Sequence, residues 1–502
     1  MKKITLCAIA LMASATSFAQ TTLWNGEDNV LGTSNTGFWD RCTPEVVENP
    51  KKDAVNGSGK CLKFIITDTG WEHGDVVISK DGGYDFASKR LSLKIKQDDN
   101  SNVKVELTCK NGDDKAFKKV AAWYDGAGEW RTLYFDFSTN GEFDNPYEIA
   151  IYPTTDNFEG SKEVYIDDIR IEDLPKVGDK NLTDVADGSL AGNIKLAGAW
   201  LKGECHNVEG DWVKVVYNDF EKINAKLSDA VTSVDMRGTV TKDVDVALLF
   251  KNPYTIVYAD EAYDHANVVA KQNFTNANNE EVTALYAAKG LELNDAYAFS
   301  CPEAFTAANV KLTRTVRKGI NSFVLPFYVG ADELGADALA TFKESDASKV
   351  SFTKADHADA NVPFITVGLK DAADKKVFNF FGNQKYVEPT SDSFNKASFK
   401  GVYAPQSATG FYGIDADGNL HKGGASATIN AFHAYYQPAD GATPAKISFD
   451  GEAAGIDAVT TTSTSANGAV YDLSGRRVAA NLAAAKLAKG IYVVNGKKVA
   501  VK

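Results

Sequence analysis

Between Leu23 and Asp173, apolar and polar positions alternate with period two. Leu91, Leu93 and Ile95 alternate with Ser92, Lys94 and Lys96, and Leu133, Phe135 and Phe137 alternate with Tyr134, Asp136 and Ser138. One apolar face per segment predicts antiparallel strands covering a core on one side, and about eight such runs predict a two-sheet sandwich. Asn56-Gly57, Asn111-Gly112 and Asn140-Gly141 are the expected turns, because both residue types tolerate positive φ. Trp24, Trp39, Trp71, Trp123 and Trp130, five of the seven tryptophans, fall in this stretch, so function is expected here.

The pattern loosens after residue 174. Residues 175–187, "PKVGDKNLTDVAD", read as a polar linker. Over 188–310 short strand-like runs recur at uneven intervals, as in "VTSVDMRGTV" and "NPYTIVYAD", which suits the rungs of a solenoid. Residues 311–450 read as a further β domain. In it "NSFVLPF" is a strand stopped by Pro326, and "GFYGIDADGNLHKGG" is a hairpin turning at Asp417-Gly418. Asp415, Asp417 and Asn419 do not make a calcium loop, because glycine comes two places too early. Residues 451–468 form a Ser/Thr-rich tether, and 469–502 a compact end. The expected fold class is all-β and multidomain.

Composition agrees. A chain of 502 residues suits several domains, and 44% hydrophobic with 24% charged residues excludes global disorder. Residues 1–19 have the lysines, apolar run and small residues of a signal peptide, with cleavage before Gln20, so the mature protein is expected to be secreted or held at the cell surface. No later stretch has the ~18 consecutive apolar residues of a membrane helix. Without Lys2 and Lys3 there are 52 basic residues against 67 acidic, which argues against a nucleic-acid partner. Five cysteines remain, Cys42, Cys61, Cys109, Cys205 and Cys301, an odd number without metal-ligand spacing. Cys42 and Cys61 are the pair nearest in sequence, and Cys109 extends the apolar face of Val103, Val105 and Leu107.

No metalloprotease, nucleophile-elbow or phosphate-loop motif is present, and the six histidines are scattered, so catalysis is not expected. An exposed indole can stack on the C–H face of a sugar while amides and carboxylates bind its hydroxyls. Trp39 in "GFWDR", Trp71 with Glu72 in "TGWEHGD", and Trp123-Tyr124 in "AAWYDGAG" are the candidates, with plain hydrophobic packing the alternative for each. Trp130, at the head of a strand, is expected in the core.

The ordered segments "LWNGED", "GFWDRCTPEVVENPKKDAVNGSGKCLKF", "GEWRTLYFDFS", "YEIAIYP" and "VYIDDIRIED" resemble the galactose-binding-like jelly-roll modules of carbohydrate-active and surface proteins in Bacteroidetes-type bacteria. The resemblance covers residues 20–174. It implies a β-sandwich that binds glycans in many relatives, often with a structural calcium ion joining the first and last strands. By that resemblance Glu27 and Asp168 are the metal ligands; the alternative is that Asp167 and Asp168 are edge charges that discourage strand pairing between molecules.

Phe299 to Gly335 is similar to a segment of secreted Bacteroidetes proteins that follows leucine-rich or other repeats, and it implies architecture only. The end of the chain carries seven basic residues and no acidic one from Leu473 onward. Tyr471-Asp472, Gly475-Arg476, Lys489-Gly490-Ile491-Tyr492 and the closing Lys497 to Lys502 resemble the C-terminal sorting domains of type IX secretion, which implies passage through that machinery. The expected function is non-catalytic glycan binding through the jelly roll, with polysaccharide as partner. A structural or adhesive surface protein that binds host or matrix proteins is the alternative, and a glycoside hydrolase with an unrecognised site the second.

Overall fold

A computed structural model describes residues 21–27, 36–38, 42–66, 76–80, 82–111, 114–141, 143–154, 158–207, 213–239, 245–345, 349–380, 384–391, 398–438, 446–450, 470–471, 477–479, 487, 489–494 and 497–501. Residues 1–20, read as a signal peptide up to residue 19, together with Trp39, Trp71, Glu72 and the 451–468 stretch read as a tether, lie outside the described residues.

The first eleven strands form the sandwich: β1 (Thr21–Trp24), β2 (Thr36–Phe38), β3 (Cys42–Glu48), β4 (Lys60–Ile66), β5 (Val76–Ser79), β6 (Lys89–Gln97), β7 (Ser101–Asn111), β8 (Asp114–Tyr124), β9 (Arg131–Phe135), β10 (Glu148–Tyr152) and β11 (Lys162–Asp173). One sheet runs β3-β4-β11-β6-β9, with β1 also on β11; the other contains β8-β7-β10-β5-β2. Leu91, Leu93 and Ile95 from one sheet meet Val103, Val105, Leu107 and Cys109 from the other in one core, all fully buried. At roughly 1.5–3 kcal/mol per large apolar side chain, this core dominates the module's stability. Trp130 is buried as expected, and its indole N–H donates to Asn49 Oδ1 at 3.1 Å. Cys61 is free; the β3–β4 register places it opposite Val47, and Cys42 opposite Ile66.

The alternation breaks in β11. Val164, Ile166, Ile169 and Ile171 are all buried, so the spacing jumps from two to three across Asp167-Asp168. Asp168 has φ 56°, and the register with β6 skips from Asp167 to Arg170: a β-bulge. Of the expected turns, Gly141 has positive φ whereas Asn56-Gly57 does not. The Asn56 side chain instead donates to Asp167 Oδ2 at 3.0 Å, and Asn49 Nδ2 ties the loop to the carbonyls of Asn56 and Ser58.

The stretch expected as a linker carries β12 (Lys176–Val177), β13 (Lys180–Asn181) and a 3-10 turn, because Leu182 is buried in the next core. Strand β14 (Leu190–Ala197) comes next. Strands β15 (Lys202–Asn207) and β16 (Val213–Asn218) then return to the sandwich: β15 pairs with β8, placing Cys205 opposite Ala122, so the second sheet has seven strands. Helix α1 (Asp219–Lys226) is capped by Asn218, whose side chain accepts from Glu221 N–H. Beneath it Arg90 pairs with Asp219 at 3.3 Å, both fully enclosed.

From there the chain stacks in parallel: β14 on β17 (Leu227–Asp235), β17 on β18 (Ile256–Ala259), β18 on β19 (Val268–Thr275). After the β19–β20 (Glu281–Ala287) hairpin the parallel habit returns in β21 (Leu291–Asn294), β22 (Phe305–Ala307) and β23 (Val310–Val316), with β20 beside β22 and β21 beside β23. Rungs are linked at a corner: Val257 N–H donates to Asn267 O, Asn267 N–H to Gly290 O, and Leu291 N–H to Asn309 O. Gly290, at φ 86°, has Asn309 Oδ1 where a Cβ would sit. The solenoid-like reading therefore holds for this region.

Beyond it a five-stranded sheet (Gly319–Phe323, Phe364–Leu369, Ala338–Ser345, Lys349–Ala355, Lys446–Phe449) faces a four-stranded one (Phe399–Val402, His433–Tyr436, Tyr412–Ile414, Leu420–Lys422) across a shared core. The hairpin turns where expected. Gly418 has φ 83°, and the Asp415 carboxylate accepts from the backbone N–H groups of Asp417 and Asn419 and from Asn419 Nδ2. The chain ends in four short antiparallel strands, Val470–Tyr471, Arg477–Ala479, Gly490–Val494 and Lys497–Val501.

Candidate functional site

Period two decides what the second sandwich sheet presents outward. On β8, Val120, Ala122 and Tyr124 point into the core, which leaves Phe117, Lys119, Ala121 and Trp123 on the other face. The register adds Thr108, Glu106 and Lys104 of β7 opposite Phe117, Lys119 and Ala121, and then Glu148, Ala150 and Tyr152 of β10. Trp123 and Phe117 are each 44% exposed and lie six residues apart, about 20 Å along one strand.

Between these two rings the polar groups are paired. Lys119 Nζ meets Glu106 Oε2 at 3.0 Å, Thr108 Oγ1 donates to Glu148 Oε1 at 3.1 Å, and Lys104 Nζ sits 3.7 Å above the Tyr152 ring. Lys104, Glu106, Thr108 and Tyr152 are all buried although they face away from the core. The face thus offers two apolar platforms flanking a fixed set of hydrogen-bonding groups.

Tyr124 does not belong to this face, which corrects its expected role beside Trp123. Adjacent residues of a strand point to opposite sides, so exposing Trp123 buries Tyr124. Its hydroxyl lies 2.9 Å from Gln97 O and 2.7 Å from Glu129 O, and burial raises the phenol pKa. Trp39, Trp71 and Glu72 lie outside the described residues. Sequence reasoning passed over Phe117, Lys119 and Glu106; the signal was there in the polar positions of the same alternation that identified the core.

The expected metal pair also divides. Strand β1 pairs with β11, placing Trp24 opposite Ile169, so the terminal strands do meet. Asp168, however, is turned by the bulge onto Lys94 Nζ at 2.8 Å and Arg170 Nε at 2.7 Å, so its charge is already neutralised. Asp167 occupies the junction instead. Fully buried, it accepts from Gly26 N–H at 3.2 Å, its neighbour's N–H at 2.8 Å, Asn56 Nδ2 and Ser58 Oγ. Glu27 Oε1 accepts from Lys60 N–H at 2.7 Å, and its carboxylate lies against Gly59. Glu27 and Asp167 therefore both face the 56–60 loop, their oxygens engaged by its backbone and side-chain donors and by those of Gly26 and Asp168. Among the described residues no three His, Cys, Asp or Glu side chains are grouped to hold a metal.

No family model matches the chain, and no curated protein matches it. Among solved structures it is similar to the family 11 carbohydrate-binding module of the cellulosomal cellulase Lic26A-Cel5E of Clostridium thermocellum (17% identity, 31% of this chain and 95% of that one, TM-score 0.24). It is similar also to the CBM22-1 xylan-binding domain of Paenibacillus barcinonensis Xyn10C (13% identity, 31% and 96%, TM-score 0.24). An exo-β-agarase matches at 16% identity and TM-score 0.25 over 34% of this chain, which spans 26% of the agarase.

Proposed function

We propose that the protein is an exported, non-catalytic glycan-binding protein whose outward β7–β8–β10 face takes a polysaccharide chain. The observation that carries this reading is the pair of half-exposed rings, Trp123 and Phe117, on one face of one strand with the Lys119–Glu106 pair between them. Exposed aromatic rings on a sheet face cost solubility, and stacking on sugar C–H faces gives them a use; the charged row supplies hydroxyl partners. Retention of the mature chain on gels of xylan, mixed-linkage glucan, mannan and galactan tests it. Trp123→Ala and Phe117→Ala should each weaken retention tenfold or more. Retention by none of the four, or retention indifferent to both substitutions, sinks the proposal and favours an adhesive or structural role.

Calcium at the β1–β11 junction is part of the same reading, with Asp167 and Glu27 as its carboxylates and Asp168 left to its ion pairs. The four-stranded end is read as the sorting unit for type IX secretion, and the surface or medium as the destination. Deleting 469–502 should leave the protein inside the producing cell's outer membrane, and unimpaired release would refute that part alone.

A further inference from the structure

Tyr328 is the second most exposed large apolar side chain among the described residues, at 52%, and it lies far along the chain from the sandwich face. It directly precedes the two-residue strand Val329–Gly330, which pairs with His357–Ala358; this brings the Tyr328 ring onto the imidazole of His357, centroids 5.0 Å apart and planes 26° from parallel. Lys385 fixes the backbone there, donating to Tyr328 O at 3.1 Å and pairing with Glu333 at 2.5 Å. The stacked pair is a ridge between two depressions. One, of about 780 Å³, lies on the Tyr328 side and is lined by Asn276, Asn279, Asp332, Asp356 and Gln384. The other, of about 440 Å³, lies on the His357 side and includes Phe342, Pro363 and Asp359. Among the described residues the carboxylates of Asp332 and Asp356 have no hydrogen-bond or ion-pair partner.

We infer that this ridge and its two depressions form a second binding site, for the interior of a neutral polysaccharide chain. A ring backed by a second ring is a rigid flat apolar surface, and two free carboxylates with the Asn279 amide and the Gln384 amide oxygen beside it are suited to hydroxyl groups, while Asn276 is held by its own turn. The balance of Asp332, Asp356 and Asp359, with only Lys385 opposing and already paired to Glu333, repels uronates and sulfated sugars. Two depressions joined over a ridge suit a chain passing through, where a single closed pocket would suit a chain end. This inference stands apart from the sandwich face and survives if that face binds nothing.

The test uses the mature chain carrying Trp123→Ala and Phe117→Ala, titrated calorimetrically with hexasaccharides of β-1,4-glucan, β-1,4-xylan, β-1,3-glucan and β-1,4-mannan, and with hexagalacturonate. At least one neutral hexasaccharide should bind. Adding Tyr328→Ala should weaken it tenfold or more, and Asp356→Asn a few-fold. Tyr386→Ala, which removes another exposed tyrosine that does not line either depression, should change nothing. Thermal melts confirm folding of each variant, and Asp356→Asn keeps the test open if Tyr328→Ala melts early. No binding by any neutral hexasaccharide, binding indifferent to Tyr328 and Asp356, or preference for hexagalacturonate overturns the inference. The separate loss or retention of binding on the Trp123 substitution alone reports on the sandwich face.

Discussion

Nη2 of Arg314 lies 3.2 Å from Nδ1 of His433. An arginine can only donate, so Nδ1 is the lone-pair nitrogen and Nε2 carries the hydrogen, which it donates to Asp295 Oδ2 at 3.3 Å. His433 is therefore neutral in the folded protein. Burial first, then the Arg314 charge, hold its pKa down at about 4 against the upward pull of Asp295. Arg314 also donates to the carbonyls of Ser322 and Phe432, so one buried group joins the last solenoid rungs to the β domain after them.

This arrangement makes stability depend on pH with a definite sign. Unfolded, the imidazole titrates near ~6.5, so as pH falls the unfolded chain takes the proton first. The contribution is complete above about pH 6.5 and is lost progressively toward about 4, by up to ~3 kcal/mol. Asp295, whose pKa is lowered by His433 and Thr315 N–H despite its burial, adds a loss of the same sign at still lower pH. Urea unfolding at pH 7.5, 5.5 and 4.5 should show the decline, and His433→Gln, which keeps an acceptor for Arg314, should flatten it. An equal slope in both proteins would contradict the assignment.

Neighbouring residues on β8 should behave oppositely. Trp123→Ala should cost under about 1 kcal/mol of stability, since the indole is half exposed. Tyr124→Ala should cost about 3–5 kcal/mol, because it empties a fully buried site and removes the hydroxyl that bridges Gln97 and Glu129 O. Chemical denaturation of the two variants decides, and similar losses would mean the strand is rotated.

Asp219→Ala should cost about 3–5 kcal/mol by removing the ion-pair partner of the buried Arg90 guanidinium. Arg90→Met with Asp219→Leu should recover most of it. A fragment ending at Leu174 lacks both Asp219 and the strand that covers the edge of β8, and should melt lower and associate more readily than one ending at Lys226. Melting curves and gel filtration of the two fragments check this.

At the β1–β11 junction, millimolar calcium should raise the melting temperature of the wild type and EGTA should reverse the rise. Asp167→Asn should abolish the response, and Asp168→Asn should keep it. A response that depends on Asp168 would restore that residue as the ligand.

Much of the sandwich was legible because one sheet face is buried and the alternation records it: Leu91 to Ile95 and Leu133 to Phe137 all point where period two places them, Phe137 just beyond the end of β9. The bulge in β11 was not legible: it inserts a residue at Asp168, swaps the faces beyond it, and turns Asp168, put forward by resemblance, onto Lys94 and Arg170. Strand β16 stops at Asn218 because that residue caps the helix that begins at Asp219. That β15 pairs with the sandwich could not be read, because its partner β8 lies more than eighty positions earlier, with Cys205 opposite Ala122, and strand pairing leaves no local mark. The solenoid rungs were blurred because their repeat is set at corners such as Asn267, Gly290 and Asn309, while the runs between vary in length.

The β8–β15 pairing has a consequence for how the modules move. A chain passing once between two bodies leaves a swivel. Here the sandwich is also stitched to the solenoid region by the strand pair, by Arg90 with Asp219, and by Asn181 Nδ2 on Ser88 Oγ at 2.8 Å. Attachments at separate points remove the swivel axis. The bearing of the Trp123 face is thus set once, when the chain folds, and under the proposed function a polymer seated there would pull on the solenoid directly instead of reorienting a loose head.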